Sequence, residues 1–274
     1  MDASLKDQVL FITGASRGIG KAIALRAARD GACIVVAAKT AEPDPRLPGT
    51  IHGAAREIEA AGGQALPLVV DIRDESQIET AVAQAVERFG RIDVLVNNAS
   101  AIHPHGTADT PLKRYDLMMD INVRGSFACI RACLPHLQKS RNAHILHLSP
   151  PLNLAANWLG AFPSYMVSKY AMTLLALGVA EEQRGAGIAA NTLWPRTLID
   201  TSALRVAAPE QSARARTPQI MADAAHWILT QKGLSVSGRS LLDEDVLRAA
   251  GMADFTGYAV QPDQALALDY FVDA

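Results

Sequence analysis

Thr13-Gly14-Ala15-Ser16-Arg17-Gly18-Ile19-Gly20 closes the apolar run Val9-Leu10-Phe11-Ile12 and opens an alanine-rich helical stretch. A strand that turns through glycines into a helix makes an anion cradle. Glycines let the backbone turn tightly and approach a pyrophosphate with no Cβ in the way, while the first helical amides point unpaired N–H groups at the charge. Three residues separate Gly14 from Gly18, so this is not the G-x-G-x-x-G fingerprint. An ordinary strand-to-helix turn has the same local look, and the decision falls to the rest of the chain.

Outward from this loop, short β-rich runs alternate with amphipathic helical segments. The pattern predicts strands at 9–13, 34–38, 65–70, 94–97, 144–149, 188–193 and 240–242, with helices over 18–30, 51–61, 75–89, 113–140, 164–184 and 218–231. Such an order implies an α/β fold: a doubly wound, mostly parallel seven-stranded Rossmann-type sheet with helices on both faces. Ligands of these sheets bind beyond the carboxyl ends of the strands. No linker-like stretch divides the chain, so residues 1–243 are read as a single dinucleotide-binding catalytic domain. Residues 244–274 have weak periodicity and are read as an extension packed on that domain or on a partner subunit.

The 274 residues, 49% of them hydrophobic, suffice for a sizeable core. A formal charge of −2 and no Lys/Arg block argue against a nucleic-acid surface and for small-molecule chemistry. Cys33, Cys129 and Cys133 have no metal-ligand spacing and read as reduced core thiols; no metal is expected. Met1–Lys6 shows no cationic-then-apolar leader, and the apolar region around 171–180 is too short for a membrane span, so a cytoplasmic location is expected.

Tyr165-Met166-Val167-Ser168-Lys169 places a phenol and an ammonium one helical turn apart on a shared face. A cation beside a phenol favours phenolate, bringing proton exchange with a substrate alcohol towards neutral pH.

With these residues in view, the chain resembles the classical short-chain dehydrogenases/reductases. Thr13-Gly14-x-x-x-Gly18-x-Gly20, Asn97-Asn98-Ala99-Ser100, Asn122 and Tyr165-x-x-x-Lys169 occur in that family's order and spacing. Ile121–Gly125, Leu148–Leu154 and Leu193–Thr197 resemble its hydroxysteroid-dehydrogenase-like subgroup. The resemblance implies Tyr165 as general acid/base, with Lys169 lowering its pKa and holding the nicotinamide ribose. It further implies Asn122 as support for a proton-relay water, Asn98 and Ala99 beside the adenosine ribose, Asp71 and Ile72 at the adenine, and Pro195 to Thr201 beside the carboxamide. Gly14, Ser16, Arg17, Gly18, Ile19 and Gly20 form the cradle. Ser149 is assigned the family's serine, although it lies further upstream of Tyr165 than the family spacing and Pro150 fills the neighbouring slot.

Lys39-Thr40 stands where an acidic residue would bind the ribose hydroxyls of NAD, and with Arg17 and Ser16 it converges on a 2′-phosphate; NADP(H) is the expected cofactor. The expected function is hydride transfer between this cofactor and a secondary alcohol or ketone, in a homodimer or homotetramer as the resemblance implies. Pro150 and Arg196, which stands where the family usually has glycine, fit a second class, a catalytically silent NADP(H) sensor; a lipid or sterol carrier is a third. Leu152, Leu154, Trp158, Phe162 and Trp194 are read as apolar walls or as core. The loop 202–217 is read as a lid whose Arg205, Arg214 and Arg216 suit an acidic substrate or are simply solvated.

Overall fold

The computed structural model describes residues 3–44 and 48–273. Strands β1 (Val9–Thr13), β2 (Cys33–Ala38), β3 (Gln64–Val69), β4 (Val94–Asn97), β5 (His144–His147), β6 (Ala189–Trp194) and β7 (Arg239–Leu242) form one sheet in the order β3-β2-β1-β4-β5-β6-β7. Every neighbouring pair is parallel. Helices α1 (Gly18–Ala28), α2 (Ile51–Ala60), α3 (Glu75–Phe89), α4 (Leu112–Met118), α5 (Ser126–Leu137), α6 (Ala156–Ala161), α7 (Pro163–Glu182), α8 (Ser202–Ala207), α9 (Gln219–Thr230) and α10 (Asp243–Ala249) complete the body.

Both faces of the central strands are covered, and their alternation sorts side chains between two cores. Leu10, Ile12, Ile34 and Val36 join the core under α1 and α9; Val9, Phe11, Cys33 and Val35 join the core under α3 and α5. Each such aliphatic side chain taken from water contributes about 1.5–3 kcal/mol. Cys129 and Cys133 sit in the second core, where burial pushes the Cys129 thiol up to about 12. β3 and β7 are the half-exposed edges, and Pro67 on β3 is tolerated there.

The chain reverses its winding between β1 and β4, which opens a crevice at their carboxyl ends. Two features of the sequence reading change, and the course of the C-terminal extension becomes specific. The single helix expected over 113–140 is interrupted by a π-helical turn, Met119–Gly125. The expected lid loop 202–217 is α8 followed by a 3-10 turn at Pro209–Arg214. The extension after α10 returns over the carboxyl end of the sheet as a strap: Ala267 O accepts from Leu198 N at 2.9 Å, Asp269 N donates to Arg196 O at 3.0 Å, and Thr197 bridges Leu268. Among the described residues no helix is long and apolar enough to cross a membrane.

Candidate active site

The glycine loop leaves β1 through Gly14, at φ +68°, and Gly18, at φ +57°, both in the left-handed region that glycine adopts without penalty. Thr13 Oγ1 accepts from Asn98 N and Ala99 N, each at 3.0 Å, and Asn98 Nδ2 donates to Thr13 O at 2.8 Å and Gly14 O at 3.2 Å. The loop is thereby fastened to the end of β4. At the start of α1 no side chain caps the helix, whereas Thr50 caps α2 and Asp74 caps α3. Uncapped amides at a helix start are anion donors.

These amides face a crevice of about 540 Å³ lined by Gly14, Ser16, Arg17, Gly18, Ile19, Lys39, Thr40, Asp71, Ile72, Asn98, Ala99 and Thr201. The residues expected to hold a dinucleotide are thus brought together, with three exceptions: Gly20 lies behind the loop against Asn98, Pro195 lies at the exit of β6, and Lys169 is buried on α7 outside this lining. Arg17 leans across the crevice mouth and donates to Gly49 O at 2.7 Å, while Lys39 stays exposed. Arg73 beside Asp71 holds that carboxyl below its usual range. The crevice suits a dinucleotide: backbone donors at one end, the cations Arg17 and Lys39 in its lining, and no Cβ at Gly14 or Gly18 on the turn.

The crevice runs along Ala101 and Ile121 to Asn122, which sits on the π-helical turn. π-turns widen a helix locally and recur at functional sites. Asn122 Oδ1 accepts from Ala101 N at 2.8 Å, and its Nδ2 donates to Ala101 O at 2.9 Å and Ser168 Oγ at 3.0 Å. Both amide hydrogens are therefore committed, and Asn122 ties the segment after β4 to α7. Ser168, which the sequence reading passed over although it lies inside the quoted Tyr-to-Lys stretch, relays this tie by donating to Tyr165 O at 2.8 Å.

Tyr165 and Lys169 share a face of α7, as expected, and both are buried. Lys169 Nζ donates to Leu148 O at 2.8 Å and lies 5.2 Å from the Trp194 ring centroid. Burial, with the Asp269 charge second, pushes the Tyr165 phenol up, and burial pushes Lys169 down to about 7. Desolvation disfavours the charged form of each group. Ser149 also departs from its assignment: its hydroxyl is hydrogen-bonded to Thr173 Oγ1 at 3.0 Å, and Thr173 donates to Pro150 O at 2.7 Å. Thr173 is two helical turns beyond Tyr165, so the Ser149 hydroxyl is spent along α7 rather than at the phenol.

A family profile described as short chain dehydrogenase matches residues 8–211. The chain belongs to the short-chain dehydrogenase family. It is 56% identical over 265 residues to Hydroxysteroid dehydrogenase-like protein 2 of Danio rerio, covering 96% of this chain and 63% of that protein. The chain thus spans somewhat under two thirds of the length of the curated relatives it matches. A putative dehydrogenase from Xanthomonas campestris has a crystal structure that superposes with a TM-score of 0.96 at 54% identity, over 99% of this chain and 100% of that one. A short chain dehydrogenase from Mycobacterium paratuberculosis bound to NAD aligns with a TM-score of 0.73 at 26% identity, over 87% and 97% of the two chains.

In this short-chain dehydrogenase the strap packs aromatic side chains beside Tyr165. Phe271 stands 6.1 Å from the Tyr165 ring and 5.8 Å from Trp158, and Tyr270 stacks 4.7 Å from Phe162. Trp194 Nε1 donates to Tyr270 O at 2.9 Å, and Trp158 Nε1 to Asp273 at 2.8 Å. Trp158, Phe162 and Trp194 pack with Tyr270 and Phe271 in one apolar cluster beside Tyr165, whereas Leu152 and Leu154 are exposed; only the apolar character of Tyr270 and Phe271 hinted at their place in it. The lid arginines are not poised for an acidic substrate. Arg205 pairs with Asp200, Arg214 donates to Ala265 O, and Arg216 makes a buried 2.7 Å ion pair with Glu244.

Proposed function

We propose that this chain is an NADP(H)-dependent oxidoreductase that interconverts a secondary alcohol and a ketone. The observation that carries the reading is a chain of contacts: the crevice extends from the uncapped amides of α1 to Ala101 and Ile121, Ala101 is hydrogen-bonded to Asn122, and Asn122 is hydrogen-bonded to Ser168 on α7, the helix that carries Tyr165 and Lys169. A nicotinamide dinucleotide supplies the hydride acceptor or donor when bound. The chain supplies geometry and proton traffic. Gly14, Gly18 and the first amides of α1 would hold the pyrophosphate, Lys39 and Arg17 the 2′-phosphate, and Lys169 the ribose hydroxyls.

Tyr165 exchanges the hydroxyl proton. The aromatic wall of Trp158, Phe162, Tyr270 and Phe271 suits an apolar ketone. Exposed Phe127 on α5 and the groove between α3 and α5 support a homodimer or homotetramer through those helices. The three buried thiols fit a reducing, cytoplasm-like compartment.

The test is NADPH oxidation against panels of steroid, fatty-acyl and small ketones, with Tyr165→Phe as control. Turnover by the parent that the variant loses supports the reading; equal turnover by both overturns it. A second reading, a nucleotide-responsive binding protein without turnover, is favoured by the diversion of the Ser149 hydroxyl to Thr173. NADPH binding with no turnover across the panels would select it.

A further inference from the structure

Tyr165, to which the proposed function gives the hydroxyl proton, is 3% exposed and is not among the side chains that line the dinucleotide crevice. Its cover comes from a much later segment. Phe271 on the C-terminal strap, itself 1% exposed, enters a socket of aromatic rings carried by α6 and α7. Its ring centroid stands 5.4 Å from Tyr170, 5.8 Å from Trp158 and 6.1 Å from Tyr165. A substrate carbonyl must come within about 3 Å of the phenol oxygen to take its proton, and a residue so covered does not offer that approach.

Polar contacts of the strap's last turn hold the ring in place. Asn153 Nδ2 donates to Phe271 O at 3.3 Å and to Asp273 Oδ2 at 2.7 Å, Trp158 Nε1 donates to Asp273 Oδ1 at 2.8 Å, and Trp194 Nε1 donates to Tyr270 O at 2.9 Å. Asp273 is exposed, so its bonds compete with water. Phe271 adopts φ +68°, a left-handed conformation that a bulky side chain disfavours and that persists only where its surroundings over-determine it. Withdrawal of the ring relieves that conformation; burial of the ring opposes withdrawal. The socket's larger part stays behind, because Tyr165 and Tyr170 stand on α7 and Tyr170 Oη donates to Asn153 O at 2.6 Å.

We propose that this socket is the subsite for the apolar group of the substrate, a ketone carrying a phenyl-sized ring, and that Phe271 is its resident occupant, which withdraws before Tyr165 meets a carbonyl. The assignment to a substrate rests on the proposed function; the occupancy of the socket does not. A wall and an occupant differ in sign. A ring that walls the substrate helps to bind it, so loosening the strap weakens binding. A ring that fills the substrate's place excludes it, so loosening the strap raises affinity towards that of the fully open socket.

The probe is acetophenone, titrated calorimetrically into the full chain with NADP⁺ present, so that no turnover occurs. Asp273→Ala removes two anchors and leaves the Phe271 ring in the chain. Affinity for acetophenone rises about threefold or more over the parent. Asp263→Ala, which removes another exposed carboxylate from the extension, leaves it unchanged. Unchanged or weaker binding in Asp273→Ala, or an equal rise in Asp263→Ala, overturns the proposal.

Nitration by tetranitromethane, followed by peptide mass spectrometry, reads access to the phenol without any ligand. Tyr165 reacts at least about fivefold faster in Asp273→Ala and in Phe271→Gly, a substitution that suits the left-handed backbone, while exposed Tyr115 keeps its parental rate. If Phe271→Gly does not fold, Asp273→Ala, altered only at an exposed side chain, gives the reading alone. A Tyr165 rate that does not move overturns the proposal. Tighter acetophenone binding and faster nitration in a protein that turns over no ketone keep the occupied socket and discard the reaction. Ketone reduction that Tyr165→Phe loses, with both readings unmoved, keeps the reaction and discards the occupant.

Discussion

Gly20 and Asn98 occupy adjoining space: a Cβ on residue 20 would stand 2.4 Å from Asn98 Nδ2 and 3.0 Å from Gly14 O. Because Asn98 is also the clamp on Thr13 O and Gly14 O, a methyl group there displaces the clamp and with it the glycine loop. Alanine gains about 1 kcal/mol of helix propensity, but the overlap costs about 1–3 kcal/mol. Gly20→Ala is expected to lower the melting temperature in calorimetry and to weaken NADPH binding at least about tenfold, read by nucleotide fluorescence.

Ser149→Ala removes a hydroxyl engaged with Thr173 rather than with the phenol. Its expected cost is about 1 kcal/mol of stability, with kcat/KM held within about threefold of the parent. A loss of a hundredfold or more in kcat would show that the hydroxyl reaches the substrate.

Tyr165→Phe leaves the buried ring and its contact with Phe271 in place and deletes only the acid. Turnover should fall by about 10² or more, with NADPH affinity and unfolding midpoint near those of the parent. Steady-state kinetics beside a fluorescence titration separates the two effects.

Lys39 lines the crevice at the carboxyl end of β2 and is exposed. Lys39→Asp exchanges a cation for a carboxylate that repels a 2′-phosphate and can accept from ribose hydroxyls. Affinity for NADPH should drop about tenfold or more while that for NADH rises. Unchanged affinities would remove Lys39 from cofactor choice.

His144 gives the fold a pH dependence of definite sign. Burial pushes it down to about 4, so as pH falls the unfolded chain takes up this proton first. The stability that His144 contributes is complete above its ordinary value near 6.5 and is lost at about 1.4 kcal/mol per unit between there and about 4. Urea unfolding at stepped pH should show a shallower acid slope for His144→Asn than for the parent.

The sheet was legible because its strands are apolar on both faces and its turns carry glycine: β1 and β4 match their expected limits, as does α3, with Asp74 at its start and Gly90 at its end. The crevice residues were legible for the same reason, since short motifs at strand ends dictate where they point. Three things were not. The π-turn has no periodicity of its own. The Ser149–Thr173 bond depends on the path of 149–155, which the inserted residues before Tyr165 alter. The strap reaches the end of β6 through long-range pairing of Asp269 with Arg196 and Ala267 with Leu198, and pairing of this kind leaves no local pattern in a tail of mixed polarity.

The widened turn at Met119–Gly125 amounts to an extra residue threaded into what is otherwise one continuous run from α4 into α5. Excising one residue there would regularise the coil but rotate everything downstream by about 100°. Cys129, Ile130 and Cys133 would swing out of the sheet-facing core, and the carboxamide at 122 would lose its grip on Ala101. The irregularity is therefore a phase adjuster: it lets one coil satisfy a hydrophobic seam at one end and an active-site contact at the other.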